Sequence, residues 1–262
     1  MIALVGDATA NVVEVFSSFQ GEGPHVGCST LFVRLGVCDL RCRWCDSPQT
    51  WRPAETCRIA QPGGGAQELR NPVSLDAIAA AAEALDLPRH RFVSLTGGEP
   101  LLQPEAVGAL ARTLRVRGPR ILLETHGLHE PALAQVIDAI DVVSMDWKLA
   151  SEVRRAGRRR GEPRESFDAL HAAFLRTARR APEVVVKVVV TPATGDDELD
   201  ALARRVAEVD DATPLVLQPV TPFGPVRTAP DPARVLAWQA RLERTLRDVR
   251  VIPQTHKQVG VA

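Results

Sequence analysis

Three cysteines fall close together in the stretch Cys38-Asp-Leu-Arg-Cys42-Arg-Trp-Cys45. The C-x3-C-x2-C spacing lets one short loop wrap a cubane so that each thiolate binds one iron, and the fourth iron stays open to a chelating small molecule. A zinc site is the competing reading. Structural zinc wants four N/S ligands with paired C-x2-C spacing, and Cys28, Cys57 or His25 would have to supply the fourth. Three buried core cysteines are the third reading, which a glycine-flanked, arginine-containing loop suits poorly. The odd total of five cysteines gives no disulfide framework.

More chemistry-bearing residues follow at regular places. Thr96-Gly97-Gly98-Glu99-Pro100 closes a β segment. Paired glycines there admit close backbone approach to a ligand, and the Glu99 carboxylate can accept hydrogen bonds from an ammonium group. Glu124-Thr125-His126-Gly127, Asp146-Trp147-Lys148, Lys187 and Gln218-Pro219-Val220 each fall at or near the carboxyl end of a later β segment. Singly, Glu124 and Asp146 read as capping acids and Lys187 as a paired strand lysine. Their common register points to one site on one face. Phe16–Pro24 sets Gln20 and Glu22 among glycines, which suits either the edge of a flat polar heterocycle or a plain turn. Arg34, four residues before Cys38, offers a charge-assisted pair to a substrate carboxylate or a structural ion pair. His256 lies near the other end, in Pro253-Gln-Thr-His-Lys257.

The elements that must position these residues alternate. Apolar, β-branched runs at 31–35, 91–96, 120–125, 141–146, 184–190, 214–218 and 249–252 predict strands. Helical periodicity between them predicts helices over 74–87, 104–117, 131–139, 166–180, 196–209 and 232–246. Ser74 and Asp196 suit N-caps; Pro104, Pro131 and Pro232 suit first turns. The expected fold class is α/β: a partial (β/α) barrel of about six units with parallel strands, one domain over 1–262. Residues 52–71, with Gly63-Gly64-Gly65, and the arginine-rich 152–164 read as inserted loops. The second is a solvated segment or a docking patch for an acidic electron donor.

Composition excludes little but orders the possibilities. Lys+Arg and Asp+Glu are both 32 in 262 residues, so net charge gives no reason to expect nucleic acid or a membrane as the main partner. The longest apolar runs are too short to span a bilayer, and the N-terminal stretch lacks a secretion-signal pattern, so a cytoplasmic location is expected.

The cysteine loop with Trp44 before its third cysteine, followed one βα unit later by Gly-Gly-Glu, resembles the radical SAM superfamily. Phe19-Gln-Gly-Glu-Gly23, Phe32-Val-Arg-Leu-Gly36, Cys42-Arg-Trp-Cys-Asp46, Thr96–Gln103, Glu124–Gly127, Gln218-Pro219 and Gln254–Lys257 together resemble its 7-carboxy-7-deazaguanine synthase family. That resemblance implies a [4Fe–4S] cluster on Cys38, Cys42 and Cys45 whose open iron binds S-adenosylmethionine (SAM). One electron then cleaves SAM to a 5′-deoxyadenosyl radical. The implied reaction turns 6-carboxy-5,6,7,8-tetrahydropterin into 7-carboxy-7-deazaguanine by radical ring contraction with loss of ammonia. Cofactor-side candidates are Trp44, Asp46, Gly97, Gly98, Glu99, Glu124, Ser144, Asp146, Lys148, Lys187 and Gln218. Substrate-side candidates are Phe19, Gln20, Gly21, Glu22, Arg34, Thr96, His256 and Ala262. Ser47 stands where the family has a magnesium-binding threonine, and His126 where it has asparagine. A flavodoxin-like or ferredoxin-like donor and a homodimer are implied as partners. Another radical SAM enzyme, such as a glycyl-radical activase, and a non-catalytic metal-binding module remain the alternatives.

Overall fold

The computed structural model describes residues 8–159 and 161–261. Along the chain run β1 (Thr9–Ala10), β2 (Val12–Phe19), β3 (Ser29–Leu35), β4 (Leu40–Cys42), β5 (Thr56–Ala60), β6 (Ala66–Arg70) and β7 (Val73–Ser74). Then follow α1 (Leu75–Ala84), β8 (Phe92–Gly97), α2 (Pro104–Arg115), β9 (Arg120–Thr125), α3 (Glu130–Val136), β10 (Val142–Asp146), β11 (Val153–Arg155) and α4 (Asp168–Ala178). The last elements are β12 (Glu183–Val190), α5 (Asp196–Asp210), β13 (Leu215–Pro219), α6 (Pro232–Leu242), β14 (Val249–Val251) and α7 (Thr255–Gln258).

One sheet takes ten strands in the order β14-β13-β12-β10-β9-β8-β3-β2-β5-β6. From β3 to β14 every pairing is parallel. The two ends of the order do not pair, so the barrel is partial. Helices α1 to α6 pack each against the next, forming the outer layer that crossover connections require. Helix α2 shows why these segments are helical. Pro104 stands in the first turn, and Ala106, Val107, Leu110, Ala111 and Leu114 bury one stripe against the sheet. The Ser74 hydroxyl caps α1 by accepting from the Ala77 N–H at 3.2 Å. Strand β12 is apolar on both faces, as a central parallel strand should be, except for Glu183 at its start and Lys187.

The structure corrects several expectations. Residues 56–70 are not a loop but the hairpin β5–β6, turning through Gly63, Gly64 and Gly65, all at positive φ. Its period was hidden because β6 is the sheet edge and is mostly exposed on both faces. Cys57 on β5 is fully buried in the core, far from any ligand role. Part of 152–164 is also ordered: β11 pairs antiparallel with β4, setting Val153 opposite Cys42. The remainder is held by Arg155–Glu165 and Arg158–Glu162 pairs, and Arg160 lies outside the described residues. Gly195, not Asp196, caps α5, while Asp196 accepts from the Trp238 indole at 2.9 Å. The strand β2, antiparallel to β3, carries the Phe16–Phe19 stretch that sequence periodicity did not assign.

Candidate active site

The carboxyl ends of β8, β9, β10, β12 and β13 open onto one cleft, which also takes the loop that follows β3. It encloses about 990 Å³ counting its open mouth, and Cys38, Cys42, Cys45, Trp44, Gly97, Gly98, Asp146, Lys148, Lys187 and Gln218 all line it. Sheet register brings them together: Asp146 of β10 pairs with Lys187 of β12, and Val189 of β12 with Gln218 of β13. A second cleft of about 760 Å³ adjoins it, lined by Phe16, Phe19, Gln20, Gly21, Phe32 and His256 among others. Glu22, Arg34, Asp46, Ser47, Thr96 and Glu124 line both and form the shared wall.

The three cysteines carry free thiols. Burial pushes Cys38 up to about 12 and Cys42 up to about 11, so neither becomes a thiolate unaided. Iron supplies the positive charge that a buried thiolate needs. None of Cys28, Cys57 or His25 lines the cleft, and His25 is paired with Glu183 at 2.7 Å. The three-thiol set therefore fits a cluster with one open iron better than a four-ligand zinc site. The glycines serve closeness. A Cβ on Gly97 would sit 2.1 Å from the Leu35 carbonyl oxygen, at φ +135, and one on Gly98 would sit 2.2 Å from that of Val37. Only glycine lets β8 end this close to the loop that leads to Cys38.

A charged lattice crosses the floor. Lys148 Nζ donates to Asp146 Oδ2 at 2.9 Å, Lys187 Nζ lies 3.1 Å from Asp146 Oδ1, and Lys187 also pairs with Glu22. Burial opposes ionisation of Asp146, but the Lys148 and Lys187 ammonium groups outweigh it and hold its carboxyl at about 2. Burial likewise opposes charge on the two lysines, yet their acidic neighbours keep both above the ordinary lysine value. The Gln218 Oε1 atom is buried and accepts no hydrogen bond. An acceptor left open in a ligand-sized cleft fits a bound group with N–H or O–H donors, as SAM has.

The second cleft has a different character. Phe16 and Phe32 stack at 5.0 Å between centroids, and the Arg34 guanidinium lies over Phe16 at 5.6 Å. Arg34 Nε donates to Glu14 Oε1 at 2.7 Å, so the structural ion pair exists while the residue still faces both clefts. Gln20 donates to Glu124 Oε1 at 3.0 Å, and its own Oε1 accepts from the Glu22 N–H at 3.0 Å. The chain end closes over this corner: Gln254 donates to Glu22 at 2.8 Å, Lys257 Nζ lies 3.2 Å from Asp46, and Thr255 N–H donates to the Gly21 carbonyl at 2.9 Å. Ser47 donates its hydroxyl to Asp46 Oδ1 at 2.9 Å.

Two expected residues lie elsewhere. Glu99 is fully buried and absent from both linings. Its carboxylate accepts from Leu101 N–H at 2.9 Å, Thr125 Oγ1 at 2.8 Å and His126 N–H at 2.8 Å, locking the ends of β8 and β9 together. Ser144 stands two residues below Asp146, about 7 Å deeper along β10. It opens onto a small pocket beside Gln20 and Glu124 instead of the cysteine cleft. Ala262 lies outside the described residues. Sequence reasoning missed Thr50, Trp51, Val189 and Thr221 as cleft lining, and Glu14 as the partner of Arg34. Only Val189 carried a readable signal, its place near the end of an apolar run.

Residues 33–206 match the Radical SAM superfamily. A 7-carboxy-7-deazaguanine synthase of Geobacter sulfurreducens is 38% identical over 258 residues, covering 96% of this chain and 97% of that protein. One from Methanothermobacter thermautotrophicus is 34% identical over 261 residues, covering 96% and 98%. Among solved structures, that of QueE from Escherichia coli superposes with a TM-score of 0.61 at 21% identity, covering 95% of each chain, and shares the fold. Near-full-length identity at this level, on a chain that also presents the three-cysteine cleft, places this protein in the 7-carboxy-7-deazaguanine synthase family of the radical SAM superfamily.

Proposed function

We propose that the chain converts 6-carboxy-5,6,7,8-tetrahydropterin to 7-carboxy-7-deazaguanine with loss of ammonia. The observation that carries this reading is the pair of clefts with one shared wall, on which Arg34, Thr96 and Glu22 face both chambers. One chamber suits a cluster and SAM; the other joins stacked aromatics to amide, carboxylate and guanidinium groups, the requirements of a carboxylated pterin.

Bound there, a [4Fe–4S] cluster and SAM would supply one-electron reduction and radical chemistry directed at the pterin. Cys38, Cys42 and Cys45 would hold three of its irons. Trp44, Asp46, Gly97, Gly98, Asp146, Lys148, Lys187 and Gln218 shape the SAM side, with Glu99 acting from behind through the strand ends. Gln20, Gly21 and Glu22 present polar groups to the pterin edge, Phe19 and Phe16 give it an apolar wall, and Arg34 meets its carboxylate. His256 lines the chamber and, with Gln254 and Lys257 held over Glu22 and Asp46, would exclude water. Ser47 and Asp46 are hard oxygen donors suited to a magnesium ion beside the substrate. A homodimer, a cytoplasmic setting and a flavodoxin-like or ferredoxin-like electron donor complete the reading. Among the described residues, no helix is long and apolar enough to cross a membrane.

Anaerobic reconstitution, then SAM, dithionite and the tetrahydropterin, tests it by mass spectrometry. Expected are 7-carboxy-7-deazaguanine and ammonia, with SAM acting catalytically. SAM cleavage that leaves the pterin unchanged would assign the chain to another radical SAM reaction.

A further inference from the structure

Behind the cysteine loop, reaching the first cleft only through His126 and the second not at all, lies a group that the proposed reaction does not use. Asp39 follows Cys38 directly. His126 follows β9, and His129 stands at the start of α3, where its side chain makes no capping bond. His126 Nε2 lies 2.8 Å from Asp39 Oδ1, and His129 Nε2 lies 3.3 Å from Asp39 Oδ2. One ligand atom from each of the three lies within 4.8 Å of the others. His126 is buried, while Asp39 and His129 are half-buried, leaving a path from solvent.

We propose that Asp39, His126 and His129 bind one divalent ion of the zinc or ferrous class, clamping the cluster loop to the end of β9 and the start of α3. Two imidazoles and one carboxylate form a donor set that such ions favour, with open positions for water. The spacing fits. Metal bonds of about 2.0–2.2 Å give ligand-to-ligand edges of roughly 2.9–3.5 Å, close to the 2.8 and 3.3 Å between Asp39 and the two imidazoles, with the His126–His129 edge within 4.8 Å. Donor accounting points the same way. His126 faces a carboxylate at each ring nitrogen: Asp39 at Nε2, and Glu99 Oε2 at 3.3 Å from Nδ1. A neutral imidazole has one N–H to give. Nδ1 is buried and makes no hydrogen bond, while Nε2 meets Asp39 at 2.8 Å; an ion on the Asp39 side would take the Nε2 lone pair and leave the single proton to Nδ1, on the Glu99 side, as in the carboxylate–histidine–metal relay. His129 Nε2 is buried and makes no hydrogen bond, as a ligand nitrogen awaiting a cation would be. Arg155, 3.7 Å from Asp39 Oδ2, is the arginine paired with it among the described residues; its Nε is held by Glu165, so its terminal nitrogens can swing toward solvent. The site is independent of the pterin reading, because no residue in it lines the second cleft.

The test uses the anaerobically reconstituted holoenzyme, washed with chelator, loaded with one equivalent of Zn²⁺ and desalted. Metal analysis should find one zinc per chain beside a full complement of cluster iron. Zinc-edge X-ray absorption should show an N/O shell near about 2.0–2.1 Å with imidazole scattering and no sulfur at about 2.3 Å. His129→Ala and, separately, His126→Asn should weaken zinc binding at least tenfold, and His129→Ala should do so with iron and sulfide content unchanged. A parallel load with Fe²⁺, read as a fifth iron per chain, distinguishes the ferrous from the zinc occupant. Zinc lost on desalting in wild type together with no fifth iron, a sulfur shell, or undiminished affinity in both variants would overturn the proposal.

Discussion

Glu99→Gln separates a carboxylate that binds a ligand from one that braces the fold. In the structure the buried side chain accepts three short hydrogen bonds, from Leu101, Thr125 and His126. A glutamine can keep its oxygen toward Leu101 and Thr125, but its NH2 then faces the His126 N–H, donor against donor. The two surviving bonds lose their charge assistance, about 1 kcal/mol each, and one buried N–H is left without an acceptor, about 1–3 kcal/mol. The loss is about 3–5 kcal/mol, a large share of the ~5–15 kcal/mol stability of a typical domain. At about 2–4 °C per kcal/mol for a chain this long, the melting temperature should fall by about 10 °C. Differential scanning calorimetry of reconstituted wild type and variant measures it, with SAM affinity read by equilibrium dialysis well below the transition. The bracing role predicts a large thermal shift and SAM binding within about threefold of wild type. A shift under about 2 °C, combined with tenfold weaker SAM binding, would refute it and return Glu99 to the ligand.

Cys42→Ala should abolish both the visible cluster absorption and SAM cleavage; reconstitution to four irons in that variant would exclude the assigned loop. Gly21→Ala places a Cβ 2.0 Å from His256 Nδ1 and 2.7 Å from His256 Cβ, so the 255–258 turn must shift, and iron content should stay normal while the pterin KM rises about tenfold, about 1.4 kcal/mol. In a His256→Gly background, which removes that Cβ as well, the same change should cost little; additive effects would show that His256 is not what it displaces. Burial holds His171 down at about 3, against 6.5 unperturbed. The unfolded chain therefore binds the extra proton between those values, and stability falls as pH drops below about 6.5. From pH 7.5 to 5.5 the loss due to this residue is about 1.4 kcal/mol. His171→Gln should shrink the fall in melting temperature over that range by a few degrees, and an unchanged pH dependence would contradict the assignment.

What the sequence determined by itself is whatever its short-range spacing encodes. The seven parallel strands follow from β-branched runs, and the helices between them from 3.6-residue periodicity, because backbone geometry repeats over a few residues. The cysteine loop is local in the same way, since three thiolates on one cubane need a short loop whatever surrounds it. Edge strand β6 escaped because both its faces meet solvent, leaving no alternation to read. The placement of Glu99 escaped for a different reason. Its three donors come from Leu101, Thr125 and His126, so a carboxylate in a ligand-binding signature was turned inward by strand ends that only register brings together. Arg34 looked equally suited to an ion pair or a substrate, and the fold gave it Glu14 on Nε and a position on both clefts. The deepest decisions lie farthest apart in the chain. Gly21 leaves the room that His256 occupies, and Lys187 joins Glu22 to Asp146. No local pattern links residues that distant; the packed parallel sheet sets their distances, through the register at which each strand meets the next.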